Sequence, residues 1–104
     1  MIQPAGHYIT FLNSEPKEAQ WVMLIFMTRN GLDHVDMNRR EFDLRAEMTR
    51  VENKIQEKLN DKATVIGTGS IQTDGPRLRP LAQFQDNEEI CKQLKDYEEK
   101  LKAA

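Results

Sequence analysis

Seven consecutive apolar residues, WVMLIFM at positions 21–27, place the strongest constraint on how this chain can fold. The run is too short for a typical buried helix, and it is followed by Asn30 and Gly31, a common turn pair. We therefore interpret it as the central strand of a sheet. Because successive side chains of a strand face opposite sides, both faces of this strand are apolar and both require cover.

The segments on either side of this strand carry weaker patterns. The β-branched and aromatic run HYITFL, residues 7–12, predicts a first strand. Residues 32–37, LDHVDM, alternate in polarity and are interpreted as either a strand or a loop. From Glu41 onward apolar residues recur at helical spacing, and Asn60 and Asp61 end this pattern. The helical stripe consists of Leu44, Met48, Val51, Ile55 and Leu59.

The C-terminal half predicts two strands and a second helix. Residues 63–73 and 77–84 are interpreted as strands joined by a turn at Asp74, Gly75 and Pro76. Pro80 places the second of them at a sheet edge, or breaks it there. Asp86 and Glu89 resemble a capping box, which begins a helix that runs to the C-terminus. The apolar residues of that helix are Ile90, Leu94, Tyr97 and Leu101.

This order of elements predicts one α+β domain over residues 1–104. We expect a single antiparallel sheet of four to five strands with two helices packed on one face, in a ferredoxin-like or related sandwich. A chain of 104 residues with 38% hydrophobic and 31% charged residues has no room for a second domain.

Charge and cysteine content narrow the function classes. A net charge of −2 provides no overall attraction to nucleic acid, so nucleic-acid binding is not expected. The chain has neither a signal-peptide pattern nor the roughly 18 apolar residues of a membrane span, which predicts a cytoplasmic protein without a membrane association. Cys91 is the only cysteine and excludes an intrachain disulfide or a cysteine zinc cage, and we expect no metal and no cofactor.

The glycine-containing segment VIGTGSIQTDG, residues 65–75, resembles a nucleotide loop at first sight. It lacks the third glycine of a dinucleotide fingerprint and the lysine of a phosphate loop, and a turn rather than a helix follows it. In a regular strand Val65, Gly67, Gly69 and Ile71 share one face, where the glycines leave a groove. We favour a helix packed closely into this groove.

The alternative is a small ligand over the two glycines. Thr68, Ser70, His34 and Arg77 would then supply the polar groups. A role of His34 as a metal ligand or general base is disfavoured, because its spacing from the neighbouring aspartates matches no ligand motif. Cys91 is interpreted as a small packing residue rather than a nucleophile. The sequence therefore predicts no catalytic residue.

Two helices on one face would leave the other face of the central strand uncovered. We therefore expect a homodimer that closes this face about a twofold axis. Val22, Leu24 and Phe26 are assigned to the helices. The predicted dimer interface consists of Trp21, Met23, Ile25 and Met27.

Several motifs between residues 21 and 97 resemble a known family. They are the strand that ends in NGL, the helix VENKIQEKL, the segment VIGTGSIQTDGPRLRPL and the final helix. Together they resemble the ferredoxin-like domains grouped with the regulator of ribonuclease E activity B and uncharacterised bacterial relatives. The matching residues are Glu52, Gly67 or Gly69, Thr73, Asp74, Gly75 and Arg77.

The resemblance implies a ferredoxin-like sandwich and a protein-binding role, and it carries over no catalytic residue. Our hypothesis from the sequence is a non-enzymatic cytoplasmic protein of bacterial type, a homodimeric regulator or accessory protein that binds another protein. The alternative is a small-molecule-binding protein or minor enzyme with its pocket over Gly67 and Gly69.

Overall fold

A computed structural model describes residues 5–44 and 48–103 of the chain. The elements in chain order are helix α1 (Ala5–Asn13), strands β1 (Trp21–Thr28) and β2 (Gly31–Asn38), helices α2 (Arg39–Asp43) and α3 (Met48–Asn60), strands β3 (Thr64–Gln72) and β4 (Gly75–Pro80), and helix α4 (Glu88–Ala103). A short 3-10 helix, Ala82–Phe84, lies between β4 and α4.

The four strands form one antiparallel sheet in the order β2-β1-β3-β4. The apolar run forms β1, in the interior of the sheet as predicted. A tight turn through Arg29 and Asn30 connects β1 to β2, and Gly31 has a φ of 111°, which L-residues with a side chain rarely adopt. The predicted α+β class with a single antiparallel sheet is confirmed, and residues 32–37 belong to a strand.

The predicted N-terminal strand is wrong, because residues 7–12 lie within helix α1. Leu12 of this helix is fully buried, and Tyr8, Ile9 and Phe11 pack against the same core. Residues 8 and 12 are one helical turn apart, so this face of the helix covers the sheet. Packing therefore outweighs the strand preference of the β-branched and aromatic residues.

Helices lie on both faces of the sheet rather than on one. The α3-side core joins Val22, Leu24 and Phe26 of β1 to residues of α1 and α3. The α4-side core, on the opposite face, joins Met23 and Ile25 to residues of α4. The buried helical residues of these two cores are Leu12, Phe42, Val51, Ile55 and Leu59 on the first side, and Ile90 and Leu94 on the second.

The helix predicted to begin at Glu41 differs in its first part. Asn38 caps the separate short helix α2, because its side-chain oxygen accepts hydrogen bonds from the backbone N–H groups of Arg40 and Glu41. Leu44, assigned to the buried stripe, is 71% exposed, whereas Phe42 is buried. Residues 45–47 of the predicted helix lie outside the described residues. The remainder of the helix, α3, follows the predicted stripe and ends at Asn60.

A β-bulge changes the predicted alternation in β3. Ile25 pairs with Gly67 and Phe26 pairs with Val65, so Ile66 is an additional residue in β3. Val65 consequently belongs to the α3-side core and Ile66 to the α4-side core. The prediction that Val65 shares a face with Gly67 is therefore wrong.

The C-terminal predictions agree with the structure except at the ends of the elements. Thr73 and Asp74 form the turn, and β4 begins at Gly75 instead of residue 77. The edge strand β4 ends at Pro80, as its proline predicted, and residues 82–84 form the 3-10 helix instead of continuing the strand. Asn87 rather than Asp86 caps α4, since its side-chain oxygen accepts the backbone N–H of Ile90.

Candidate functional site

The groove over the two glycines is filled by the chain itself. A Cβ atom placed on Gly67 would lie 2.5 Å from the carbonyl oxygen of Arg79 and 3.2 Å from the Leu94 side chain of α4. A Cβ atom on Gly69 would overlap the Leu78 side chain. The predicted close approach of a helix is therefore observed at Gly67, while a neighbouring strand residue occupies the space beside Gly69.

The other predicted ligand residues do not converge on the glycines. Thr68 and Ser70 are buried and pair with Leu24 and Val22, which face the α3-side core, on the opposite face of the sheet from Leu94. His34 lies on the edge strand β2. The structure thus distributes these polar groups over two faces and an edge.

The two arginines of β4 are engaged in local ion pairs. Arg77 pairs with Asp74 in the preceding turn, and this contact lowers the pKa of the Asp74 carboxyl. Arg79 Nε lies 3.6 Å from Glu15 Oε1, and Arg79 also donates to the Ser14 hydroxyl at 3.2 Å. These pairings neutralise the basic pair that a nucleic-acid site would need.

His34 connects the edge strand to α4. Its Nδ1 lies 2.7 Å from the Tyr97 hydroxyl, and its Nε2 lies 4.0 Å from Asp36 Oδ2. Burial is the main cause of a raised pKa at Tyr97, with Asp33 and Asp36 as smaller contributors. Within the described ranges, no group of three His, Cys, Asp or Glu side chains is placed to hold a metal ion.

The predicted dimer interface does not exist as one surface. Met23 and Ile25 are fully buried beneath α4, and Met27 packs against the same core. Only Trp21 is well exposed, at 38%. The expectation was wrong because it assumed an uncovered sheet face, whereas α4 of the same chain covers that face.

Trp21 does belong to another surface. Trp21 and Leu44 are the large hydrophobic residues classed as exposed among those described. Both line one open depression of about 650 Å³, which we call the Trp21–Leu44 depression. Its lining also includes Lys17, Arg39, Arg40 and Asp43.

Local hydrogen bonds explain why these residues meet. Trp21 begins β1 and pairs with Asn38, the last residue of β2. The backbone N–H of Arg39 donates to the Gln20 carbonyl at 2.8 Å, and the Asn38 cap then begins α2 immediately. The short helix α2 therefore starts beside Trp21, and Leu44 follows its last residue.

The Arg39 side chain is 5% exposed yet lines this depression. Its Nη1 donates to the Glu15 carbonyl at 3.4 Å, and its guanidinium carbon lies 5.4 Å from the centre of the Phe42 ring. Asp43 Oδ1 is 3.3 Å from Arg39 Nε, an ion-pair distance without hydrogen-bond geometry. Nη2 has no hydrogen-bond acceptor within the part of the chain that the structure describes.

Sequence reasoning missed this depression as a site. It assigned Trp21 to a sheet-face interface and Leu44 to a buried helical stripe. The available signal was Asn38, a favoured N-cap residue directly after a strand. A helix starting there places Leu44 at its end rather than within a longer stripe.

Within residues 5–44 and 48–103, no helix has both the length and the apolar character needed to cross a membrane. Comparison with family models, curated proteins and solved structures yields no match to this chain.

Proposed function

We propose that this chain is a non-enzymatic protein-binding protein, a small regulator or accessory protein of the cytoplasm. The observation that carries the proposal is that Trp21 and Leu44, the exposed large hydrophobic residues of the described chain, share one depression with two arginines. Tryptophan and arginine are the residue types that most often dominate the binding energy of protein interfaces.

The surroundings of these residues also suit an interface. Charged side chains surround the two apolar residues, which is the usual pattern of an apolar centre with a polar rim. Trp21 is held at the start of a central strand and Leu44 at the end of a capped helix, so the backbone beneath both is ordered before a partner binds.

The alternative of a ligand pocket over Gly67 and Gly69 has less support. Leu94 and Leu78 occupy the space beside these glycines, and the polar residues assigned to that pocket lie elsewhere. We therefore propose protein binding ahead of small-molecule binding.

A capture experiment tests the proposal. The purified chain and a Trp21→Ala, Leu44→Ala double variant are immobilised, and proteins retained from a lysate of the source cell are identified by mass spectrometry. The matched control carries Lys92→Ala and Lys95→Ala, two exposed positions on α4. We expect at least one protein to bind the parent and the control but not the double variant.

The dissociation constant of that protein should then be measured in purified form. Truncation of an interface hot spot costs at least about 2 kcal/mol, which corresponds to roughly 30-fold weaker binding. Equal affinity of the parent and the double variant would contradict the proposed surface.

A further inference from the structure

We propose that the partner inserts a carboxylate, from an aspartate or glutamate beside a large apolar side chain, into the Trp21–Leu44 depression, where the Arg39 guanidinium binds it. This inference rests on the proposed protein-binding function and specifies the chemistry of the partner.

The argument begins with the unused donors of Arg39. A guanidinium has five N–H donors, and in the described structure only Nη1 has a hydrogen-bond acceptor. Nη2 is unsatisfied although the side chain is more than nine-tenths buried, and burial of an unpaired donor is unfavourable. Nη2 is closed off from solvent in the structure, so an acceptor that enters the depression lined by Arg39 bonds to this donor once the guanidinium turns outward.

The geometry of the group favours a carboxylate as that acceptor. The planar guanidinium matches the two oxygens of a carboxylate, and charged pairs of this kind form short and strong hydrogen bonds. Arg39 is held in place from two sides, by the Glu15 carbonyl and by the face of the Phe42 ring. These two contacts keep the guanidinium beside the depression, from which a partner has to draw Nη2 outward.

The charges around the depression also favour an acidic ligand. Its described lining contains three cationic side chains and two anionic ones, so an acidic group is favoured over a basic one. Asp43 already lies 3.3 Å from Arg39, and its carboxylate would oppose a doubly charged phosphate more strongly than a single carboxylate.

The apolar residues distinguish a protein segment from a free anion. Trp21 and Leu44 offer contact area that a small acid or a phosphate leaves uncovered. A peptide with a large apolar residue next to its acidic residue covers this area and pairs with Arg39 at the same time.

Peptide selection tests the inference. A random linear peptide library displayed on phage is panned against the immobilised full chain, and enriched peptides without tryptophan are synthesised. Trp21 is the only tryptophan of the chain, so its fluorescence reports binding at the depression directly. We expect the enriched peptides to contain aspartate or glutamate beside a large apolar residue.

The decisive comparison is between each peptide and its amide version, in which glutamine or asparagine replaces the acid. On the unmodified chain we expect the amide version to bind at least about tenfold more weakly. On an Arg39→Met variant the two versions should bind equally, because the group that distinguishes them is gone. Arg39→Lys keeps the charge without the planar fork and should restore only part of the difference.

Because Arg39 is buried, the melting temperature of each variant is measured first, and binding is compared only below the unfolding transition. The acid-to-amide comparison on the unmodified chain needs no variant and decides the question even where Arg39→Met fails to fold.

Four results would overturn the inference. The first two are the absence of any enriched peptide and equal binding of the acidic and amide peptides. The third is a change in Trp21 emission on addition of inorganic phosphate or single-stranded RNA but not of the acidic peptide. The fourth is self-association of the chain that a Leu44→Asp variant abolishes. The two proposals can fail separately. If the two peptides bind equally but the Trp21→Ala, Leu44→Ala variant still loses a protein partner, carboxylate recognition is rejected and the protein-binding function is retained.

Discussion

Gly67 shows how one missing side chain sets the distance between the sheet and α4. Its Cα lies where a Cβ atom would approach the backbone oxygen of Arg79 as well as both terminal methyl groups of Leu94. The backbone oxygen is fixed by the pairing of β3 with β4, so it cannot move aside without loss of that pairing. At Gly69 the nearest obstacle is the end of the half-buried Leu78 side chain, and the backbone oxygen of Arg77 lies 3.0 Å away, a milder contact than the 2.5 Å approach at Gly67.

This difference predicts a graded effect of alanine. We expect Gly67→Ala to lower the free energy of unfolding by about 1 to 3 kcal/mol through overpacking, even though alanine restricts the unfolded chain. Gly69→Ala should cost less, because the Leu78 side chain can rotate away. Chemical denaturation of the two variants measures the order, and a Gly67→Ala protein as stable as the parent would refute the packing explanation.

Asp33 is the residue at which acid should weaken the fold. Lys58 of α3 lies 2.6 Å from Asp33 Oδ2, and this hydrogen bond is the main cause of a pKa below the ordinary value of 3.8. A lowered carboxyl pKa stabilises the folded state above about pH 3.8, and this contribution disappears as the pH falls through the folded pKa.

We therefore expect Asp33→Asn to reduce the loss of stability on acidification below about pH 4. Urea unfolding of parent and variant at neutral and acidic pH measures the effect. The control is Asp61→Asn, an exposed carboxyl directly after the last residue of α3. Identical acid profiles for parent and Asp33→Asn would contradict this role of Lys58.

At the scale of elements, strand β2 holds a helix on each face of the sheet. Neighbouring residues of a strand face opposite sides, and Asp33 binds Lys58 of α3 while His34 binds Tyr97 of α4. The alternation of LDHVDM, which in the sequence indicated only a weak strand, thus directs one polar side chain toward α3 and the next toward α4. The two contacts fix α3 and α4 to the same sheet edge.

Removal of the Tyr97 hydroxyl should loosen α4. We expect Tyr97→Phe to lower stability at neutral pH by about 0.5 to 1.5 kcal/mol, since the hydrogen bond to His34 is lost. The raised pKa of Tyr97 also predicts a pH dependence of stability. Its contribution to the stability of the folded state is present below pH 10.0 and is lost as the pH rises through the folded pKa. The stabilities of parent and variant should therefore converge in alkali.

Guanidinium unfolding between neutral and strongly alkaline pH tests both parts. Tyr8→Phe, on α1, provides a matched loss of a hydroxyl on the other side of the sheet. A constant difference between parent and Tyr97→Phe across the whole range would contradict the pKa argument while leaving the hydrogen bond intact.

At the scale of the whole molecule, the location of α4 changes what a buried charge would do. Met23 lies fully buried between β1 and α4, so we expect Met23→Glu to unfold the chain rather than produce a folded monomer. Trp21→Glu, at the exposed start of the same strand, should remain folded. Far-ultraviolet circular dichroism distinguishes the outcomes, and a folded Met23→Glu protein would contradict the position of α4.

Self-association remains a prediction from the sequence and now needs a different surface. With Met23 and Ile25 buried, a homodimer would have to use exposed residues such as Trp21 and Leu44. Sedimentation of the parent and of the Trp21→Ala, Leu44→Ala variant over a range of concentrations tests this directly. A dimer that weakens in the variant would occupy the Trp21–Leu44 depression and would contradict the acidic partner proposed for it, whereas an unchanged dimer would place the interface elsewhere.

The elements that were predicted correctly depend on local signals, whereas the one that was predicted wrongly depends on contacts with distant residues. Local patterns identified β1, α3, the strands on either side of Asp74 and the last helix, because spacing and turn residues act over a few positions. The same patterns failed at residues 7–12, where strand-favouring side chains occur at helical spacing and contacts with α3 decide between the two.

Local patterns were sufficient for the α+β class, the central position of the apolar strand, the edge position or break at Pro80, and the need to cover both faces of β1. Long-range packing fixed which elements provide that cover and which hydrophobic residues stay exposed. Trp21 and Leu44 each have ordinary explanations in the sequence as members of an apolar run and of a helical stripe. Their common depression arises because β2 and α2 bring together residues 23 positions apart in the chain, and no local pattern encodes such a contact.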